Sequence, residues 1–388
     1  MKVTQVYEIT NTIVSQELGL ETVVAEDLSN VVEVGQAIQN ANALDNYVRA
    51  LFDHIGRVVF VDRRYSGRVP SVVRDSWEFG AILEKISMKL PDAEENESWS
   101  LEDRASYDPN VFYKPQISAK FWNKRITYEI PISITEIQVK SAFSNAVQLN
   151  AFYSMIRTAV ENAMTLRIDG LVMRAINGLA ADTIHDDYGS DLLSSKSGSK
   201  AVNLLYLYNN GPNASGTPLT AAAALTTPEF IRFASMTMAN YIDRLSVLST
   251  LFNIDGAERF TPRDLLHVVM LSEFKNAAGA YLQSDTFHDQ YTALPEAETV
   301  PFWQGSGTDY AFTTTSKIYE SVTPGGNAVE ATGVLAVMFD RDALGVSCLN
   351  RRVRSHWNEK AEFWNEFNKM ECGLWNDPAE NMVVFFVA

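Results

Sequence analysis

"MKLPDAEENESWSLEDRASYDPNVFYKP", Met88 to Pro115, is the stretch on which the fold turns. Its first half is acidic, with Asp92, Glu94, Glu95, Glu97, Glu102 and Asp103, and Pro91, Pro109 and Pro115 punctuate it. Trp99, Tyr107, Phe112 and Tyr113 are scattered among those charges. Such side chains carry a large apolar surface and are costly to leave in water. Both flanks read as strands. In "AILEKISMKL", Ile82, Ile86, Met88 and Leu90 share one face and Lys85, Ser87 and Lys89 the other, the alternation of a half-buried strand. Downstream, "ISAKFWNKRITYEIPISI" alternates throughout, with Trp122, Ile126, Tyr128 and Ile130 to one side and Asn123, Arg125, Thr127 and Glu129 to the other. Two long strands thus flank a tip of roughly two dozen residues. An isolated hairpin buries too little to be stable alone, and an unstructured loop of this length is unusual inside a compact domain. Both difficulties vanish if the hairpin and its aromatics dock on something else.

The whole chain sets the frame. Its 388 residues allow roughly two or three compact units. With 46% hydrophobic and 21% charged residues it has ordinary globular usage. A net charge of −16 repels phosphate at long range, which disfavours a dedicated nucleic-acid binder but not a container for nucleic acid. No apolar run reaches the ~18 residues of a membrane span, and the opening "MKVTQVYEITNTIVSQELG" lacks the apolar core and cleavage site of a secretory signal. Cys348 and Cys372 fit no metal or redox spacing, so synthesis in a reducing cytoplasm is expected.

Along the chain, Leu44, Tyr47, Val48, Leu51 and Phe52 carry helical spacing within residues 24–54, and "RVVFVDRR" reads as a buried strand. "TEIQ" matches a capping box, with Thr135 as N-cap and Gln138 reaching back. Beyond it, Phe152, Met155, Ile156, Ala159, Val160, Ala163, Met164, Leu171, Val172, Ala175, Ile176 and Leu179 trace one stripe, interrupted around Arg167–Gly170. A helix from Asn150 to Asn177 would be about 40 Å long and serve as a spine. Residues 181–225 read as Gly-, Ser- and Asn-rich loops with an inserted strand, "AVNLLYLY". Thr227 before Pro228 and Glu229 starts a helix expected to run to about Phe252. "LLHVVML" is a strand, "SEFKNAAGAYLQ" a helix, and "TVPFWQG", "GVLAVMF", "CLNRRVRSHW", "AEFWNEFNKME" and "NMVVFFVA" are strands.

Catalytic patterns do not appear: there is no Gly-rich phosphate loop, no G-x-S-x-G elbow, no H-E-x-x-H and no EF-hand loop. The five histidines lie far apart, and His267 reads as a core residue. Asp186–Asp187 reads as solvated loop charge. "RRVR" suggests nucleic acid only superficially. On a strand Arg352 and Arg354 share a face that Arg351 does not, which suits a salt-bridging edge.

The order of arm, excursive hairpin, spine helix and mixed domain resembles the Hong Kong 97 fold, an α+β fold of tailed-bacteriophage shells. "VVEVGQAIQNANALDNYVRALFDHIGRVVFV", "LEKISMKLPDAEE" and "LNAFYSMIRTAVENAMTLRIDGLVMRAING" look like the major capsid proteins of short-tailed phages of the phi29 type. So do "VMFDRDALGVSCLNRR" and "FWNEFNKMECGLWNDPAENMVVFFV" near the other end. The resemblance implies an N-terminal arm with a first helix and strand over 1–63 and an extended E-loop hairpin over 64–134. It implies a peripheral domain over 135–180, completed by about 336–380, and an axial domain over 181–335, completed by 381–388.

It further implies a non-enzymatic protein, without cofactor or metal, that assembles with itself into hexamers and pentamers of an icosahedral or prolate head. The expected partners are a scaffolding protein, a portal protein and non-specifically held double-stranded DNA, with no membrane. A separate scaffold is expected because no charged helical prodomain precedes the arm, and no immunoglobulin-like module follows the closing strands. Assembly in the host bacterial cytoplasm is implied, and the virion capsid as destination. The hairpin would lie on a neighbouring subunit, with Trp99, Tyr107, Phe112, Tyr113 and Trp122 as anchors. The acidic tip, Asp92, Glu94, Glu95 and Glu97, would meet Arg352 and Arg354 of that neighbour. Some shells of this fold ligate a hairpin lysine to a neighbour; here Lys85, Lys89, Lys114 and Lys120 alternate with polar residues and read as solvated, so no ligation is expected. Two other readings are an encapsulin-like compartment shell, which would hold cargo enzyme, and a cytosolic hydrolase whose long loop is a lid, which would need a convergent polar pocket.

Overall fold

In chain order the elements are β1 (Leu83–Met88), β2 (Ile117–Trp122), β3 (Arg125–Thr135), α1 (Ala146–Tyr188), β4 (Ala201–Asn203), α2 (Leu204–Asn210), α3 (Ala221–Ala224) and α4 (Pro228–Leu245). There follow β5 (Leu266–Leu271), α5 (Ser272–Gln283), β6 (Glu298–Val300), β7 (Ile318–Ser321), β8 (Ala328–Ala331), β9 (Val334–Asp340), β10 (Leu344–Asn358), β11 (Phe363–Asn376) and β12 (Met382–Phe386). The structure, a computed structural model, describes residues 63–64, 70–73, 83–93, 95, 110–123, 125–135, 146–212, 217–283, 296–303, 318–321 and 328–388. The arm helix of residues 24–54, the strand "RVVFVDRR" up to residue 62 and the capping-box Gln138 lie outside them, while Thr135 closes β3.

The spine helix is longer than its stripe suggests. α1 has 43 residues, about 65 Å at ~1.5 Å per residue. Arg167 does not interrupt it, because its guanidinium lies 4.2 Å from the centroid of the Tyr128 ring, a favourable seat for a cation. Beyond Asn177 the stripe continues through buried Leu179, Ala180, Ala181, Ile184 and Tyr188. The helix stops where Gly189 takes a φ of +58° and donates to the His185 carbonyl at 2.7 Å. Asp187 does not behave as solvated loop charge: its carboxylate accepts from the Lys200 and Ala201 amides at 2.7 and 2.8 Å. "AVNLLYLY" holds strand only to Asn203, whose side chain accepts from the Tyr206 amide at 3.1 Å and so caps α2. α4 starts at Pro228 as expected but ends at Leu245. The apolar residues that suggest continuation, Val247, Leu248 and Leu251, are exposed, and the chain turns back so that Ser249 and Arg259 exchange backbone hydrogen bonds.

The chain divides into two compact units. One comprises Met1–Ser66, Glu129–Met164 and Arg352–Lys369. Within it Lys369 reaches Glu129 at 2.8 Å, the Ser133 hydroxyl donates to Asn365 at 2.6 Å, and the Trp357 and Trp364 rings lie 4.8 Å apart. The other comprises Gly67–Tyr128, Thr165–Arg351 and Met370–Ala388. Its core is a five-stranded sheet in the order β4-β12-β9-β5-β6. β12 pairs antiparallel with β9, placing Val384 opposite Val337, and β9 pairs antiparallel with β5, placing Val337 opposite Val269. β9 and β12 are buried along their whole length, and apart from Asp340 at the end of β9 both are apolar runs. Phe230, Ile231, Ala234, Met238, Tyr241 and Leu245 form the buried stripe of α4, and Tyr241 meets Phe385 edge-on at 5.3 Å. Gly333, at φ +75°, leads into β9 where a Cβ would collide with the Val387 carbonyl. A three-stranded sheet has the order β10-β11-β3.

Candidate subunit interface on the hairpin

The second flank of the hairpin is not one strand. It divides after Trp122 into β2, which pairs with β1, and β3, which belongs to the sheet of β10 and β11. The β1–β2 register is Leu83↔Trp122, Glu84↔Phe121, Lys85↔Lys120, Ile86↔Ala119, Ser87↔Ser118 and Met88↔Ile117. One face therefore carries Leu83, Lys85, Ser87, Ser118, Lys120 and Trp122; the other carries Glu84, Ile86, Met88, Ile117, Ala119 and Phe121.

The polar face is the one covered by the chain itself, the reverse of the expected burial. Lys85 and Lys120, read from the sequence as solvated, stand opposite each other and would repel. A single carboxylate separates them. Lys85 Nζ donates to Asp377 Oδ2 at 2.7 Å and Lys120 Nζ to Asp377 Oδ1 at 2.8 Å. Lys85 also reaches Glu380 Oε1 at 2.8 Å, and Lys120 reaches Asp255 Oδ2 at 2.6 Å. Arg259 Nε completes the network at 3.0 Å from Glu380 Oε1. Burial pushes the Asp377 carboxyl up, but the hydrogen bonds from Lys120 and Lys85 outweigh it and hold the group below the usual carboxylate range. Burial pulls the Lys120 ammonium down, and Asp255 and Asp377 together raise it above its usual value. Ser87 and Ser118 share a hydrogen bond of 2.8 Å farther along the same face.

The apolar face is open. Ile86 and Ile117 are each 65% exposed and Phe121 61%. Met88, Leu90 and Val111 continue the exposure toward the tip, where Phe112 is 84% and Tyr113 75% exposed. Large exposed apolar patches are uncommon on soluble monomers. Among the other sequence-predicted interface residues, Asp92 and Glu95 are exposed, whereas Glu94, Glu97, Trp99 and Tyr107 lie outside the described residues. Trp122 is half-buried on the lysine face, opposite Leu83. Arg352 and Arg354 are exposed on β10, an edge strand, in the unit that does not carry the hairpin. Sequence reading missed Asp377, Glu380, Asp255 and the outward Ile86, Ile117 and Phe121. The available signal was the pair of lysines at strand spacing, together with the acidic turn "NDPAEN".

A hollow of about 710 Å³ beside α4 and β5 is lined in part by Asp243, Arg263, His267 and Glu298. Within it Arg263 donates to Asp243 at 2.5 Å, and Glu298 accepts from the Ser71 amide at 2.8 Å. His267, half-buried rather than fully in the core, stacks on Phe339 at 5.5 Å. Among the described residues no group of three or more His, Cys, Asp or Glu is placed to hold a metal ion, and no helix is long and apolar enough to cross a membrane.

This architecture is that of phage shell proteins. The capsid structure of Staphylococcus phage Andhra matches over 86% of this chain and 87% of that chain, with a TM-score of 0.52 at 10% identity. A chain from the structure of the head fibre and inner core protein gp22 of native bacteriophage P68 matches over 86% and 87%, with a TM-score of 0.55 at 9% identity. At such identities the likeness shows the fold, a Hong Kong 97-type capsid fold. No curated protein sequence matches significantly. The profile of the Phi29-like phage major capsid protein family matches residues 9–386. The chain belongs to that family: it is a structural protein of the virion capsid that assembles with itself into a shell.

Proposed function

We propose that the chain builds a phage head by laying the outward face of its hairpin on a neighbouring copy. The contact repeats around rings of six and of five subunits. The observation that carries this reading is the inversion of the hairpin: its lysine face is tied to its own subunit, and Ile86, Met88, Ile117 and Phe121 face away. Magnitudes decide between the apolar and the charged contact. Covering those four side chains from their present exposure contributes about 4–7 kcal/mol, at roughly 1.5–3 kcal/mol per fully buried side chain. An exposed ion pair contributes about 0.2–1 kcal/mol. The apolar face therefore supplies affinity, and the acidic tip, meeting Arg352 and Arg354, supplies register. A contact of this heterologous kind repeats until a ring closes.

In this reading residues 64–134 form the extended loop of the fold, 135–180 with about 336–380 the peripheral domain, and 181–335 with 381–388 the axial domain. The head encloses double-stranded DNA held without sequence preference. A separate scaffolding protein and a portal complete assembly in the host bacterial cytoplasm. The reaction of the chain is association alone. Deletion of residues 92–112, with a short turn joining the strands, tests the reading. The variant is expected to fold and to remain unassembled, and closed shells from it would overturn the proposal.

A further inference from the structure

Cys348 on β10 and Cys372 on β11 are the two cysteines of the chain, and both are free thiols. Their sulfurs lie 2.7 Å apart across neighbouring strands. The two sulfurs are thus neighbours, as a disulfide with its bond of about 2.05 Å requires. Access is unequal. Cys372 is 2% exposed, whereas Cys348 is only half-buried. One sulfur is thus reachable by a reagent and the other is placed behind it.

We propose that Cys348 and Cys372 form an oxidisable cross-strand staple, a dithiol in reducing surroundings that closes to a disulfide when the protein meets a small oxidant disulfide such as oxidised glutathione. The Cys348 thiolate attacks one sulfur of the oxidant, forming a mixed disulfide and releasing one glutathione thiolate. Cys372 then gives its proton to solvent and attacks the Cys348 sulfur. The Cys348–Cys372 bond forms, the bond to glutathione breaks, and a second glutathione thiolate leaves. Two protein thiols are oxidised by two electrons and one oxidant disulfide is reduced to two thiols. The roles follow the surroundings: the hydrogen bond from Cys372 lowers the Cys348 thiol, while that same bond and burial raise Cys372.

The closed staple joins two residues 24 apart in sequence on neighbouring strands. It restricts the unfolded chain and should raise the melting temperature of a particle that has left a reducing cell.

The test treats the full chain with reduced or with oxidised glutathione, then denatures it in a thiol alkylator and weighs it. Two alkylated thiols are expected after the reduced reagent. None is expected after the oxidised one, with the loss of two hydrogen masses, no glutathione adduct and no cross-linked dimer on non-reducing gels. Cys372→Ser should instead retain one stable glutathione adduct at Cys348, and the thermal midpoint of wild type alone should rise by several degrees on oxidation. Two alkylatable thiols, or a lasting glutathione adduct, on the oxidised wild-type chain would overturn the proposal.

Discussion

Lys85 and Lys120, opposite each other in the hairpin ladder, each take one oxygen of the Asp377 carboxylate. One buried group therefore holds both strands and sets which face of the hairpin looks outward. Asp377 is itself fixed, because its amide donates to the Ala343 carbonyl at 2.7 Å and its Oδ1 accepts from the Ala379 amide at 3.1 Å. Orientation of the hairpin thus depends on a turn far along the chain.

Asp377→Asn should loosen the root of the hairpin by about 1.5–3 kcal/mol, the range for hydrogen bonds to a charged group. Faster hydrogen exchange at residues 117–122 checks it. The pH dependence has two limits. Asp377 is depressed below 3.8, so its contribution is complete above that value and is lost as pH falls through the depressed one. Lys120 is raised above 10.5, so its contribution is complete below that value and is lost as pH rises through the raised one. Wild type should show an acid transition in tryptophan fluorescence below pH 3.8 that Asp377→Asn lacks.

Ile86→Ser with Phe121→Ser should abolish or strongly retard assembly while leaving the unassembled chain folded. Both side chains are mostly exposed, so the stability change should stay within about 0.5 kcal/mol for each substitution. Circular dichroism melting and light scattering on the same samples separate the two effects. A large loss of melting temperature would show that this face is packed within its own subunit.

Much of the fold is legible in the sequence, because period and punctuation are local. Ser272–Gln283 is a helix and Val334–Asp340 a buried strand, both where the pattern puts them. The faces of the hairpin are not legible in this way. Alternation tells which residues share a face, but not which face meets the body of the subunit. Ile86 looks like core and Lys85 like solvent until Asp377, 292 residues away, reverses them. The division after Trp122 is hidden for a similar reason, since the alternation runs on while the pairing partner changes from β1 to β11.

Arg354→Glu should raise the protein concentration needed for assembly, and Glu95→Lys in the same chain should partly restore it. Both positions are exposed. The effect should fade with added salt, since screening acts over about 8 Å at physiological ionic strength. Light scattering against concentration for both single variants and the double is the measurement. A double variant no better than the worse single would show that the two charges do not meet.

Denatured particles should give a single band at 43.3 kDa, without ligated ladders. Lys89 and Lys114 are exposed, as the sequence suggests, whereas Lys85 and Lys120 are occupied. Lys120 is held protonated by Asp255 and Asp377, and Lys85 is bound by Asp377 and Glu380. An ammonium has no free electron pair with which to attack an amide. Ladders on the gel would mean that the lysines leave their carboxylates during assembly.

The hairpin contact is tested by a density map of the assembled shell from electron microscopy. Ile86, Ile117 and Phe121 should be covered by a neighbouring subunit, while Lys85 and Lys120 remain on Asp377 of their own. A map in which the apolar face stays open to solvent, or in which the two lysines reach across to another subunit, would contradict it.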